Sequence, residues 1–134
     1  MTTKSEPTAM DRRPEVILDF TAEHDLLYVV LRNIGDTSAY RITVQFDKPF
    51  HGLGGSKCVS DMQLFRYLRF LPPGKEFMQL VDPMADYFKR REPKRLRATL
   101  SYTDREGHKF QEVITHDLRI YRDLGYTRMG PKAT

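Results

Sequence analysis

Four histidines, a single cysteine and a scatter of hydroxyls and carboxylates are the groups through which this chain could do chemistry. His51, Cys58 and Met62 offer an imidazole, a thiolate and a thioether, a set that sandwich proteins use to hold copper. Such a site also needs a second histidine close to the thiolate, and none follows Cys58 before His108. Cys58 and Met62 therefore read as a small buried thiol and a flexible core filler. Nucleophilic catalysis finds no better footing. Gly-x-Ser-x-Gly is missing, and Ser60-Asp61 and His116-Asp117 are neighbours that an extended chain sends to opposite faces. Cys58 with His51 or His108 is a pairing open to any chain with one cysteine and several histidines. Asp104 and Glu106 lie among turn residues, where loop formation and solvation explain them better than calcium binding or acid-base work. HGLGGS, from His51 to Ser56, has the glycines of an anion cradle but neither the Lys-Ser order nor an assured helix after it, and reads as a flexible loop between strands. The sequence thus predicts no catalytic residue, no metal site and no cofactor.

Charge is more informative. The chain carries a net +4, yet Lys89, Arg90, Arg91, Lys94, Arg95 and Arg97 with Glu92 sum to +5 and the rest to −1. The protein is near neutral with one basic strip. Lys89 to Arg91 at the end of a short helix would complement its negative pole. Arg95 and Arg97 share the outward parity of the strand that follows, and Arg66 and Arg69, with Tyr67 and Phe70 among them, would extend the same positive surface. Cations with interleaved aromatics suit an acidic protein or single-stranded nucleic acid. The structural alternative is a solvated face that also deters unwanted sheet pairing.

The elements that must position these groups follow from periodicity. At 134 residues the chain holds one domain. Residues 1–14, polar and punctuated by Pro7 and Pro14, read as a flexible arm, 15–121 as the folded body and 122–134 as a flexible tail. Val16, Leu18 and Phe20 alternate as a strand; Leu26 to Arg32 is apolar at both parities, as for a central strand. Tyr40, Ile42, Val44 and Phe46 alternate strictly, and Cys58 to Leu71 stays open between a short helix and a strand. Glu76 to Val81 is extended. Asp82 and Pro83 then read as N-cap and first position of a helix that runs to about Arg91 and stops before Pro93. Leu96 to Tyr102 alternates, Asp104 to Gly107 turns, and the return strand carries Phe110, Ile114, Leu118 and Ile120 on one parity, with Glu112 and His116 interrupting the pattern as a bulge or an exposed end would. Short strands without any helix long enough to cross a parallel sheet predict an all-β fold, an antiparallel sandwich of about seven strands with one or two short helical insertions. One cysteine, no secretory leader and no apolar run of bilayer length predict a reducing, cytoplasmic setting.

LRNIGDTSAYRITVQF (Leu31 to Phe46), LPPGKEF (Leu71 to Phe77) and LSYTDREGHKFQE (Leu100 to Glu112), in that order, resemble bacterial immunoglobulin-like domains of the kind grouped with CARDB and related adhesion-type modules. In those, an Asn-x-Gly turn leads into a strand, a Pro-Gly turn precedes a later one, and a Tyr-Asp hairpin closes the sandwich. The resemblance implies an immunoglobulin-like sandwich and a binding or scaffolding habit, and it carries over no catalytic residue. The expected function is therefore a non-enzymatic interaction module for a macromolecular partner, most simply a protein, acting through loops, an edge strand and the basic strip Lys89 to Arg97. Nucleic-acid association is the alternative. A small enzyme or ligand carrier lined by Tyr28, His51, Tyr102 and His116 is a third reading, and an exposed edge strand would also allow a homo-oligomer.

Overall fold

Burial that alternates along the chain sets the architecture. The computed structural model describes residues 12–124 of the 134, so residues 1–11 of the expected arm and 125–134 of the expected tail lie outside the described residues. The strands are β1 (Val16–Glu23), β2 (Leu26–Asn33), β3 (Ala39–Phe46), the two-residue β4 (His51–Gly52) and β5 (Lys57–Cys58), β6 (Leu68–Leu71), β7 (Glu76–Pro83), β8 (Arg95–Thr103) and β9 (Lys109–Asp117). Three short helices join them: α1 (Leu64–Tyr67), α2 (Met84–Lys89) and α3 (Arg119–Arg122). One antiparallel sheet has the order β1-β2-β7, the other β6-β3-β8-β9, and β4 pairs with β5 alone. Seven longer strands in two sheets make the expected all-β sandwich. β2, apolar at both parities, is indeed the central strand of its sheet.

The core lies between the sheets. Leu18, Phe20, Leu27, Leu31 and Val81 face it from one side and Ile42, Val44, Leu96, Ala98 and Leu100 from the other, all at most 4% exposed. Each of these side chains except the small Ala98 contributes about 1.5–3 kcal/mol relative to exposure. Aromatic rings link the layers edge to face, Phe20 to Phe50 at 5.9 Å between centroids, Phe50 to Phe46 at 5.1 Å and Phe46 to Phe65 at 5.2 Å.

The Asn-x-Gly turn is held from inside. Asn33 is fully buried; its Oδ1 accepts from the Glu15 and Gly35 amides at 3.1 and 2.9 Å, and its Nδ2 donates to the Thr37 and Leu71 carbonyls, both at 2.9 Å. One side chain thereby joins the approach to β1, the β2–β3 turn and the end of β6. Gly35 packs on the Arg13–Glu15 backbone with no room for a Cβ. Pro14 is buried, and the Arg13 carbonyl accepts the Asp36 amide at 3.0 Å, so this end of the expected arm is part of the fold.

Several expectations need correction. Cys58 to Leu71, open between helix and strand, holds one of each: α1 is followed at once by β6, which pairs with β3. Glu112 and His116 mark no bulge, because β8 and β9 pair over nine residues without a register shift. Both side chains are half-buried and have partners. The Tyr102 hydroxyl donates to Glu112 Oε2 at 2.8 Å, and burial together with that bond pushes the phenol pKa well up. His116 Nε2 donates to the Leu18 carbonyl at 2.8 Å, its ring edge-on to Phe20. The chain beyond Leu118 forms α3, from which the Tyr121 hydroxyl donates to the Phe20 carbonyl at 2.8 Å.

Candidate functional site

The basic strip divides in two. Asp82, expected to cap α2, instead lies at the end of β7; Pro83 takes the cap position without a side-chain bond and the helix stops at Lys89. The Asp82 carboxylate is 1% exposed because it turns inward to meet Arg90. Arg90 NH1 donates to Asp82 Oδ2 at 2.6 Å, NH2 to the His51 carbonyl at 2.9 Å and Nε to Glu92 Oε2 at 3.4 Å. Asp82 Oδ1 accepts the Gly54 amide at 3.1 Å and Glu92 Oε1 the His51 amide at 2.8 Å. A planar fork of donors matches this ring of acceptors as an ammonium could not. Desolvation opposes the guanidinium charge, but Asp82 and Glu92 outweigh it and hold the pKa above its ordinary value. Two corrections follow. Arg90 is an internal clamp, not an exposed cation, and HGLGGS is pinned between β7 and α2, with Gly52 too close to the Val81 backbone to carry a Cβ.

The second half of the strip faces solvent. Leu96, Ala98 and Leu100 of β8 point into the core, so Arg95 and Arg97 point out. Asp47, just past β3, clasps Arg97 through backbone: its amide donates to the Arg97 carbonyl at 3.0 Å and its carboxylate accepts the Arg97 amide at 2.9 Å. Lys48 Nζ donates to the Arg95 carbonyl at 3.2 Å. Opposite Arg95 in β9 stands Asp117, 3.8 Å from its guanidinium and bonded by Arg119 through Nε at 2.8 Å and NH2 at 2.5 Å. Those bonds from Arg119 hold the Asp117 carboxyl far below the usual range. Lys89 and Arg91 are exposed, and Lys94 is half-buried with Nζ 3.4 Å from the Glu92 carbonyl. Among the described residues no acid lies within ion-pair distance of Lys48, Lys89, Arg91, Lys94 or Arg97. Sequence reasoning missed Lys48 and Arg119. The available signal was register: once Phe46 faces Ala98, Lys48 must fall beside Arg95 to Arg97.

Arg66 and Arg69 do not join this surface. Arg66 pairs with Asp61. Arg69 lies in β6 between Leu68, opposite Ile42, and Phe70, opposite Tyr40, and so is level with Arg41. Arg97 is level with Asp47, six residues along the β3 segment and about 20 Å away at strand rise. Around Arg69 the groups are different. Arg41 takes a left-handed conformation, φ +52°, where the β3–β8 register shifts, and the Tyr40 and Phe70 rings meet at 5.4 Å. Phe70 and Tyr67 are 49% and 67% exposed. An open groove of about 510 Å³ runs past Tyr40 and Phe70, lined among others by Arg12, Asp36, Asp104 and Arg105.

Other reactive groups have internal partners. His51 and Cys58 are cross-strand neighbours, but the thiol lies 3.5 Å from the Ser60 hydroxyl, and His51 Nδ1 is 3.6 Å from Glu92. Ligand atoms of Asp104, Glu106 and His108 lie within 4.8 Å of one another on the exposed β8–β9 loop. His108 Nδ1 is 2.8 Å from Asp104 Oδ2, and this bond raises the histidine pKa. Tyr102 and His116, named as pocket-lining residues, are held by Glu112 and the Leu18 carbonyl.

A family model described as "Domain of unknown function (DUF8453)" matches residues 2–122. No curated protein and no solved structure matches the chain. Among the described residues, no helix is long and apolar enough to cross a membrane.

Proposed function

We propose that this chain, which belongs to the DUF8453 family, is a non-enzymatic interaction module that engages an acidic surface of a protein partner through the cationic end of its four-stranded sheet. The observation that carries the reading is the exposed group Arg95 and Arg97 on β8 with Lys48 just past β3, tied together through the β8 backbone and only partly offset by Asp47 and Asp117. Arginines fixed on strands meet carboxylates at little entropic cost, and a local positive field speeds encounter with an acidic partner. The resemblance to CARDB-like immunoglobulin modules supports a binding habit, and the free Cys58 is in keeping with a reducing, cytoplasmic setting.

The test is capture from native lysate on immobilised protein, with Arg95→Glu/Arg97→Glu alongside. The wild type should retain a partner that salt elutes as the screening length falls below about 5 Å, and the variant should retain none of it while melting at the same temperature. The same proteins on both columns, or no partner and turnover of a small molecule, would sink the reading. Single-stranded nucleic acid is the second reading, favoured by the Tyr40–Phe70 pair with Arg69 and the exposed Tyr67. A low-salt mobility shift of an oligonucleotide that Phe70→Ala abolishes would select it.

A further inference from the structure

We infer that β9 pairs with β9 of a second copy, antiparallel about a dyad through Val113, to make one continuous eight-stranded sheet. This goes beyond the proposed partner binding and does not depend on it. Each sheet has two edges, and an edge strand with unpaired amides and carbonyls is a template for another strand. Three of the four edges are obstructed. On β1, His116 and Tyr121 take the Leu18 and Phe20 carbonyls at 2.8 Å each, and the Asp19 carboxylate takes the Phe20 amide at 2.9 Å. On β7 the register breaks against Leu27 and Tyr28, and the HGLGGS segment packs on the backbone of Val81 and bonds Asp82. β6 is four residues long and runs into Pro72 and Pro73.

β9 has no such device. It is nine residues long, holds no proline or glycine and pairs with β8 without a break, and among the described residues no side chain hydrogen-bonds its backbone as His116 and Tyr121 do that of β1. Its outward face reads Lys109, Gln111, Val113, Thr115 and Asp117, with Val113 56% exposed at the midpoint.

That sequence is complementary to itself. With the dyad at Val113, Lys109 stands opposite Asp117 of the second copy at both ends, Gln111 opposite Thr115, and the two valines meet at the centre. Directly opposed ions of unlike charge and β-branched pairs are the combinations that stabilise an antiparallel ladder. Arg119 and Arg95 keep Asp117 ionised for the part. On the other face Phe110 meets His116 and Glu112 meets Ile114. Moving the dyad one residue towards the N-terminus would set Glu112 against itself, so the register is specified. A contact of this symmetry closes as a dimer and does not propagate.

Sedimentation equilibrium of the full chain from roughly 1 μM to 1 mM tests it. The wild type should show a monomer–dimer equilibrium. Val113→Lys, which sets one lysine against its copy across the dyad, and Lys109→Asp should each weaken it at least about tenfold, while Lys109→Asp/Asp117→Lys should restore it to within about threefold. Lys75→Asp, in the turn before β7 on the other sheet, should leave it unchanged. Amide exchange of residues 110–116 should slow as concentration rises. A chain monomeric throughout, a dimer that Val113→Lys leaves intact, or a swap that fails to rescue Lys109→Asp while the variants melt like the wild type, would each overturn the inference.

Discussion

Arg90 and Arg97 belong to one run of cations, yet the first turns into the protein and the second out of it. Arg90 follows α2 and meets a carboxylate that is 1% exposed, so its charge, three of its nitrogens and the path of the HGLGGS segment are committed to a single arrangement. Arg97 sits at an outward position of β8, contributes only its backbone to Asp47 and leaves its guanidinium in water. The difference teaches that the role of a charge is set by what the fold places opposite it. Density of like charge along the chain says little about that.

Stability measurements offer the sharpest way to break the comparison. Arg90→Ala should cost about 3–5 kcal/mol in denaturant unfolding, because it strands Asp82 without its counter-ion. Arg97→Ala should stay within about 0.5 kcal/mol. Equal losses would erase the distinction. Asp82→Ala/Arg90→Ala should recover part of the loss, with a coupling of about 1–3 kcal/mol in the double-mutant cycle. Simple additivity would mean that the clamp is a set of independent contacts.

Smaller still is the exposed pair on the β8–β9 loop. His108 is raised above its ordinary 6.5 by the hydrogen bond and charge of Asp104, so its contribution is full below 6.5 and is lost as pH rises through the folded value. For Asp104 desolvation acts upward, but the bonds from His108 prevail and lower it from 3.8; its contribution is present above 3.8 and is lost as pH falls through the folded value. The hairpin loop should therefore be tightest between about pH 4 and 6.5. An NMR titration of His108 should give a midpoint above 6.5 that Asp104→Ala returns to the ordinary value. A wild-type midpoint at 6.5 or below would show that solvent screens the pair.

Parity made the strands legible. Val16, Leu18 and Phe20, the even-numbered apolar residues from Tyr40 to Phe46, and Leu96 to Tyr102 each announced a strand, because one face of a pleat is buried and the other is not. What escaped depended on distant partners. Asp-Pro before an amphipathic segment is a sound local signal for a helix start, but the carboxylate is taken by the Gly54 amide, 28 residues away, and by the Arg90 guanidinium. Glu112 and His116 looked like breaks because their partners are a tyrosine across the ladder and a carbonyl on the other sheet. The cationic surface was half legible. Arg95 and Arg97 follow from parity, Lys48 and Arg119 arrive only through register, and Arg66 and Arg69 are carried to the far end of β3 by a turn that no charge pattern encodes.

Tyr121 and His116 give the chain's far end a protective duty towards its beginning. They occupy the carbonyls that β1 would otherwise hold out to solvent, so a protein shortened at Leu118 and carrying His116→Ala keeps its core residues but uncovers a long, ready-made docking rail. Such a fragment should fold, then cloud on warming and bind thioflavin, with the intact chain staying clear under the same conditions.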